Sequence, residues 1–510
     1  MQKQPSTGKA EWTVLCYLAG QNDLSNDMVL AMNRMKQVGS LSPTGAGSNS
    51  SKKVNLLAQF ASDGIGIPSQ RFYLTKTGRS GRLFDDAVDS RVVSPRVEKD
   101  RLGGEYSGAP AALLDFIRWG VDHYPARHYM LVISGHGSGV EEDFLAPAEN
   151  GQDAISLVEL RAVLLEAKER IGKKVDLVGM DTCLMSMGEV CLMLRSSTDY
   201  LVGSEGFEPN SGWPYHKILG YLVNCSRMGR PVRPEDLART VVTRYITYYK
   251  DYVTSGVSSH MAACRLNEAN RFFDRLDELG DVLSRHLQIE PIRDALLLSH
   301  WEAQGYKGDH YVDVFDLGSR LLMRLKHLGH ILKRSARTRL VHSSIEETIE
   351  AASRVRHAIR HGSGGMVVKS QVYGPAFQYS NGVSIYFPWA WVSDRYVNIS
   401  QVLQEKALNR PDSRYPGRSR GWEPFLRRYV EATRRAPRFA RHHRLPPGPE
   451  TVQGEGSASA GPQGAILPGQ RFVEPFTRFE QVARLNEIGS MKNPPLWYDG
   501  DRVIQAIRES

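Results

Sequence analysis

Tyr129-Met130-Leu131-Val132-Ile133, running into Ser134-Gly135-His136-Gly137, decides the fold of this chain. Apolar residues followed by small, turn-forming ones read as a buried strand that stops abruptly. Ser156 and Glu159 then form a capping-box pattern, opening a helix that runs to about Arg170. Val175 to Met180 is a second apolar strand, breaking at Asp181-Thr182-Cys183. Strand, helix, strand at this interval predicts a crossover and a parallel sheet covered on both faces.

The same rhythm extends outward. Trp12 to Leu18 is β-rich and is punctuated by Gly20, Asn22 and Asp23; Met28, Met32 and Met35 then share one face of a helix. Val54 to Phe60 is a strand closed by Asp63-Gly64, and the stretch after it is less regular. Pro110 to His123 spaces Leu113, Ile117 and Val121 as a helix, and Tyr200-Leu201-Val202 reads as a further strand. From Pro234 onward the pattern is mostly helical. Met261 to Leu266 and Tyr311 to Phe315 are short strand candidates, and Val383 to Phe387 is a strand stopped by Pro388. The expectation is a three-layer α/β/α sandwich with a mostly parallel central sheet, plus a more helical C-terminal half. Its parts are a core over 1–225, a helix-rich part over 226–395 with its late strand at 382–388, and a basic Arg-rich segment over 396–444. A Pro/Gly/Ser-dense linker follows over 445–470, then a tail over 471–510.

Composition narrows the function classes. Of 510 residues, 41% are hydrophobic and 24% charged, which suits a globular protein, and no apolar run reaches the roughly 20 residues a membrane helix needs. The polar start, Met1 to Ala10, has no secretory layout, so cytoplasmic residence is expected. Five cysteines without a C-x-x-C pair exclude a disulfide scaffold and a zinc site. The net charge of +9 draws on arginines crowded between Arg410 and Arg444, which read as a solvated basic arm. No nucleic-acid fold signature accompanies them.

Two strands thus end in reactive side chains, His136 and Cys183, one crossover apart. In open parallel sheets, ligand sites gather beyond the carboxyl ends of the strands. A thiolate attacks a carbonyl, and an imidazole protonates the departing amine. A helix starting at Cys183 would lower the thiol's pKa, and the N–H groups of Gly137 and Cys183 would meet the developing oxyanion. On the residues alone, a Cys beside a strand is more often the mark of a packed core.

Ser134-Gly135-His136-Gly137 and Asp181-Thr182-Cys183-Leu184-Met185 resemble the clostripain family, which belongs with caspases, legumains and gingipains. Tyr17 to Asp23, Ser204 to Pro209 with Gly212-Trp213, Tyr311-Val312-Asp313 and Gly382 to Pro388 resemble its other signatures, so the likeness spans about residues 11–390. The resemblance implies a caspase-like fold and a cysteine endopeptidase cleaving after Arg or Lys, with Cys183 as nucleophile and His136 as general acid/base. Its partner is a protein or peptide substrate. The resemblance makes Asp181 the acid of the specificity pocket, where the alternative is a cap at the turn; Glu205 and Glu208 are further substrate-binding candidates or plain loop carboxylates.

Family members are often activated by self-cleavage after a basic residue between His and Cys, yet 138–160 holds no Lys or Arg. No cofactor is required by the residues. Calcium dependence is known in the family, and Glu141, Glu142 and Asp143 offer oxygen ligands or a solvated acidic turn. Two other readings stand beside the peptidase: a caspase-like interaction or regulatory protein without activity, and a nucleic-acid-associated protein using the basic segment.

Overall fold

The computed structural model describes residues 9–42, 53–62, 69–76, 110–145, 154–251, 258–308, 310–332, 339–360, 364–408 and 421–434. The linker, the tail and the opening residues 1–8, on which the expected compartment rests, lie outside them.

Eleven strands are described: β1 (Ala10–Gly20), β2 (Val54–Ser62), β3 (Gln70–Tyr73), β4 (Ala126–Ser134), β5 (Val175–Asp181), β6 (Thr198–Gly203), β7 (Ser259–Arg265), β8 (Gly305–Tyr306), β9 (Tyr311–Asp313), β10 (Val367–Tyr373) and β11 (Ser384–Tyr386). The helices are α1 (Ser25–Lys36), α2 (Pro110–His123), α3 (Leu157–Ile171), α4 (Gly188–Leu194), α5 (Tyr215–Arg227), α6 (Pro234–Lys250), α7 (Ala269–His286), α8 (Glu290–Glu302), α9 (Val314–Leu332), α10 (Arg339–Ile359), α11 (Asp394–Leu408) and α12 (Trp422–Arg434).

The main sheet runs β10-β7-β6-β5-β4-β1-β2-β3. Its centre, β6 through β2, is parallel, and β7, β10 and β3 add antiparallel edges. Period-2 alternation builds the layers. Along β1, Leu15, Tyr17 and Ala19 join a core beneath α2, α3 and α4, whereas Trp12, Val14, Cys16 and Leu18 join one with α1, α5 and α6. The methionine stripe of α1 is buried in that second core. This is an α/β/α sandwich with a mostly parallel sheet. Helices α7, α8, α9, α10 and α12 pack on one another and extend the first layer. Local chemistry sets the crossover helix: Ser156 Oγ accepts the Glu159 N–H, the Glu159 carboxylate accepts the Ser156 N–H, and Gly172 ends α3 at φ 80°.

The structure departs from the sequence expectations in two places. The irregular stretch after β2 contains edge strand β3, and β10 forms the opposite edge; both lack a long apolar run because edge strands are half-covered. The arm reading of 410–444 fails for residues 422–434. That segment is α12, which buries Trp422, Phe425, Leu426 and Tyr429 against α7 and the chain around Phe387, leaving Arg427 on the outer face. Among the described residues, no helix is long and apolar enough to cross a membrane.

Candidate active site

β4 and β5 pair in parallel with Ser134 opposite Asp181, and the Gly135 N–H donates to the Asp181 carbonyl at 3.2 Å. His136 and Cys183 each lie two residues beyond that pair. The turns they sit on touch. A β-carbon on Gly137 would lie 2.2 Å from the Cys183 carbonyl oxygen and 2.9 Å from its amide nitrogen, so only glycine permits this approach. The strand ends therefore bring the His136 and Cys183 turns into contact, with the Gly137 and Cys183 backbones together.

His136 is half-exposed, and its Nε2 lies 2.6 Å from Oδ1 of Asp23, at the carboxyl end of β1. That hydrogen bond holds the Asp23 carboxyl below its ordinary range. An acceptor at Nε2 fixes the proton there in the neutral ring and leaves the lone pair on Nδ1. In sequence, Asp23 reads as punctuation and as the end of a family-like stretch, with no role in the site. The signal that could have found it is an acid beyond β1, the strand beside β4, whose Leu18 pairs with Ser134.

Cys183 does not begin a helix. Residues 182–187 form an irregular turn, Leu184 takes the left-handed φ of 63°, and α4 starts only at Gly188. The dipole argument therefore gives way to burial. Cys183 is 6% exposed, and burial pushes its thiol up to about 12, with the charges of Glu208 and Asp181 adding to the rise. The opposing influence is the Glu208 N–H, which donates to Sγ at 3.2 Å. At rest the group is a neutral thiol. The segment 204–208 brackets it, because the Leu184 N–H donates to the Gly206 carbonyl and the Ser186 N–H to the Ser204 carbonyl.

The three acids named from sequence divide by environment. Asp181 accepts from Ser134 Oγ at 2.8 Å, the Trp213 N–H at 3.0 Å and Tyr215 Oη at 2.7 Å; burial raises it to about 6 against these donors. Glu208 accepts from Trp213 Nε1 at 3.2 Å, with the Tyr245 hydroxyl beside it, and burial and the Asp181 charge push its carboxyl well above the ordinary range. Glu205 is occupied by Tyr306 Oη, the Gly382 N–H and Asp313, with His260 Nε2 at 3.3 Å.

Glu141, Glu142 and Asp143 do not converge. Glu141 pairs with His310 at 2.8 Å, Glu142 with Lys307 at 3.1 Å and Asp143 with Arg395 at 2.9 Å. Each carboxylate meets a basic side chain of the chain itself, an arrangement that does not fit a calcium cage. Among the described residues, no group of three or more His, Cys, Asp or Glu side chains is placed to hold a metal ion.

Comparison with known proteins shows what this chain is similar to. Clostripain of Hathewaya histolytica is 25% identical over 235 residues, covering 41% of this chain and 41% of that protein, so the match spans about two fifths of the relative's length. A secreted C11 cysteine protease from Bacteroides thetaiotaomicron, solved with an irreversible peptide inhibitor, is similar in structure at a TM-score of 0.49 and 17% identity, covering 78% of this chain and 97% of that one. An inactive zymogen C11 protease from Parabacteroides distasonis gives 0.48 and 17%, covering 78% and 96%. The sequence pattern of the clostripain family matches residues 86–336, just under half of the chain and a span that includes both the His136 and the Cys183 turns, and over that span the chain is similar to that family.

Proposed function

We propose that the chain is a cysteine endopeptidase that cleaves after Arg or Lys. The observation that carries this reading is the contact between the Gly137 and Cys183 backbones, which joins a histidine turn to a cysteine turn at the carboxyl edge of a parallel sheet. His136, with Nε2 held by Asp23, uses Nδ1 to take the Cys183 proton. The thiolate attacks the substrate carbonyl, and the Gly137 and Cys183 N–H groups receive the oxyanion. The imidazolium then protonates the leaving amine, and water releases the acyl group.

Asp181 and Glu208 form the acidic pocket in this reading. Trp213 donates to both, and burial with the Asp181 charge holds the Glu208 carboxyl well above its ordinary range until a cation enters. Their charges also raise the Cys183 thiol, so a guanidinium or ammonium entering between them favours the thiolate at the moment of binding. Glu205 is assigned to holding the segment beside Cys183, and no step passes through calcium. The test is hydrolysis of Arg- and Lys-ending fluorogenic peptides, with and without calcium: turnover lost in Cys183→Ala is expected, and no turnover by the wild-type chain would overturn the reading.

A further inference from the structure

The short strand β9 touches the His136 turn directly and the segment beside Cys183 through Glu205, using side chains two residues apart that share one face of the strand. Tyr311 Oη donates to the Ser138 carbonyl at 2.8 Å and accepts the Glu141 N–H at 3.2 Å. Ser138 directly follows Gly137. The ring packs against Gly139, where an added β-carbon would come within 2.6 Å of it and φ is +74°. Tyr311 is fully buried, and burial together with the Glu141 charge keeps its hydroxyl protonated and able to donate.

Asp313 reaches the other turn indirectly, through the segment that brackets it. It accepts the Asp316 N–H at 2.7 Å and the Asn381 N–H at 2.5 Å, and it shares a hydrogen bond with Glu205. Glu205 lies in the segment 204–208 that brackets Cys183 and donates the Glu208 N–H to its sulfur. Two fully buried carboxyls in contact share a proton, which makes the link a directional O–H to carboxylate bond. β9 itself is fixed by pairing with β8 and β11, and β11 is tied back to the cysteine turn through Ser384 N–H to the Ser186 carbonyl.

We propose that Tyr311 and Asp313 are positioning residues, which make β9 a crossbar setting the His136 turn against the Cys183 turn. The idea rests on the peptidase reading for its purpose and on the geometry above for its substance. A crossbar acts on the reacting groups and not on substrate affinity, so its loss falls on kcat and spares KM.

The experiment uses the full-length chain and Tyr311→Phe, which removes one oxygen and keeps the ring. Two readouts are taken: kcat and KM on an arginyl fluorogenic peptide, and the pH profile of Cys183 alkylation by iodoacetamide. The expected result is a fall of about tenfold in kcat with KM within about twofold, and slower alkylation with a shifted pH profile. Wild-type values in both readouts would overturn the proposal. A wild-type chain that alkylates at Cys183 but cleaves no peptide refutes the peptidase reading, and the alkylation profiles alone then decide the crossbar. Should Tyr311→Phe melt several degrees lower, Asp313→Asn is measured the same way at the other contact; unchanged alkylation and kcat there would also overturn it.

Discussion

Ser134 on β4 donates its hydroxyl to the carboxylate of Asp181 on β5 at 2.8 Å, directly across the strand pair that carries His136 and Cys183. In the proposed reading, the bond ties the floor of the acidic pocket to the base of the histidine turn. It also sets the charge state of the pocket, because a donor to a carboxylate favours its ionised form.

The pH dependence follows from that state. Asp181 must be ionised to bind a basic side chain, so kcat/KM on an arginyl peptide should rise as pH passes upward through about 6. Ser134→Ala removes one donor and should move this limb to higher pH, at a stability cost of about 1 kcal/mol. Because burial raises Asp181 from 3.8, its contribution to stability is full below that value and is lost as pH rises through about 6. A pH–rate profile of both proteins checks the direction; a limb unmoved in Ser134→Ala would remove Asp181 from the pocket.

Asp23 should matter through His136 alone. Asp23→Ala frees the imidazole to rotate and to carry its proton on either nitrogen, so kcat should fall about tenfold or more with KM nearly constant. Steady-state kinetics separate the two constants. Equal losses in melting temperature and activity would point to folding instead.

Gly137→Ala is the severe test of the contact between turns. Its β-carbon has no room beside Cys183, so the two turns must part and the oxyanion donors separate. Activity should fall about a hundredfold or more, while Gly172→Ala, at a helix end with open space around it, serves as the control for a glycine change far from the site.

Helix α12 should stabilise the C-terminal half. Phe425 is fully buried and contacts Phe387, Trp422 and Tyr429, so Phe425→Ala should cost about 3–5 kcal/mol in urea unfolding. A solvated arm would show no change.

Much of this was legible in sequence because the relevant physics is local. The central strands of a parallel sheet are buried on both faces and leave apolar runs, which is why Tyr129 to Ile133 and Val175 to Met180 stood out. The Ser156–Glu159 cap is likewise read within four residues. Three things were hidden. Trp422 and Tyr429 sit at helical spacing inside an arginine-rich stretch, and net charge masked their stripe. The Cys183 turn looked like a helix start because the left-handed φ of Leu184 has no glycine to announce it. Asp23, Tyr311 and Asp313 act through contacts more than a hundred residues away in the chain, which no local pattern encodes.

The most direct measurement of the central claim is to label the intact chain with an arginine-directed covalent inhibitor and map the modified residue by peptide mass spectrometry. The account predicts modification at Cys183, lost in Cys183→Ala and weakened in Asp181→Asn. Modification at Cys16, Cys191 or Cys264 with Cys183 left free, or no modification at all, would contradict it.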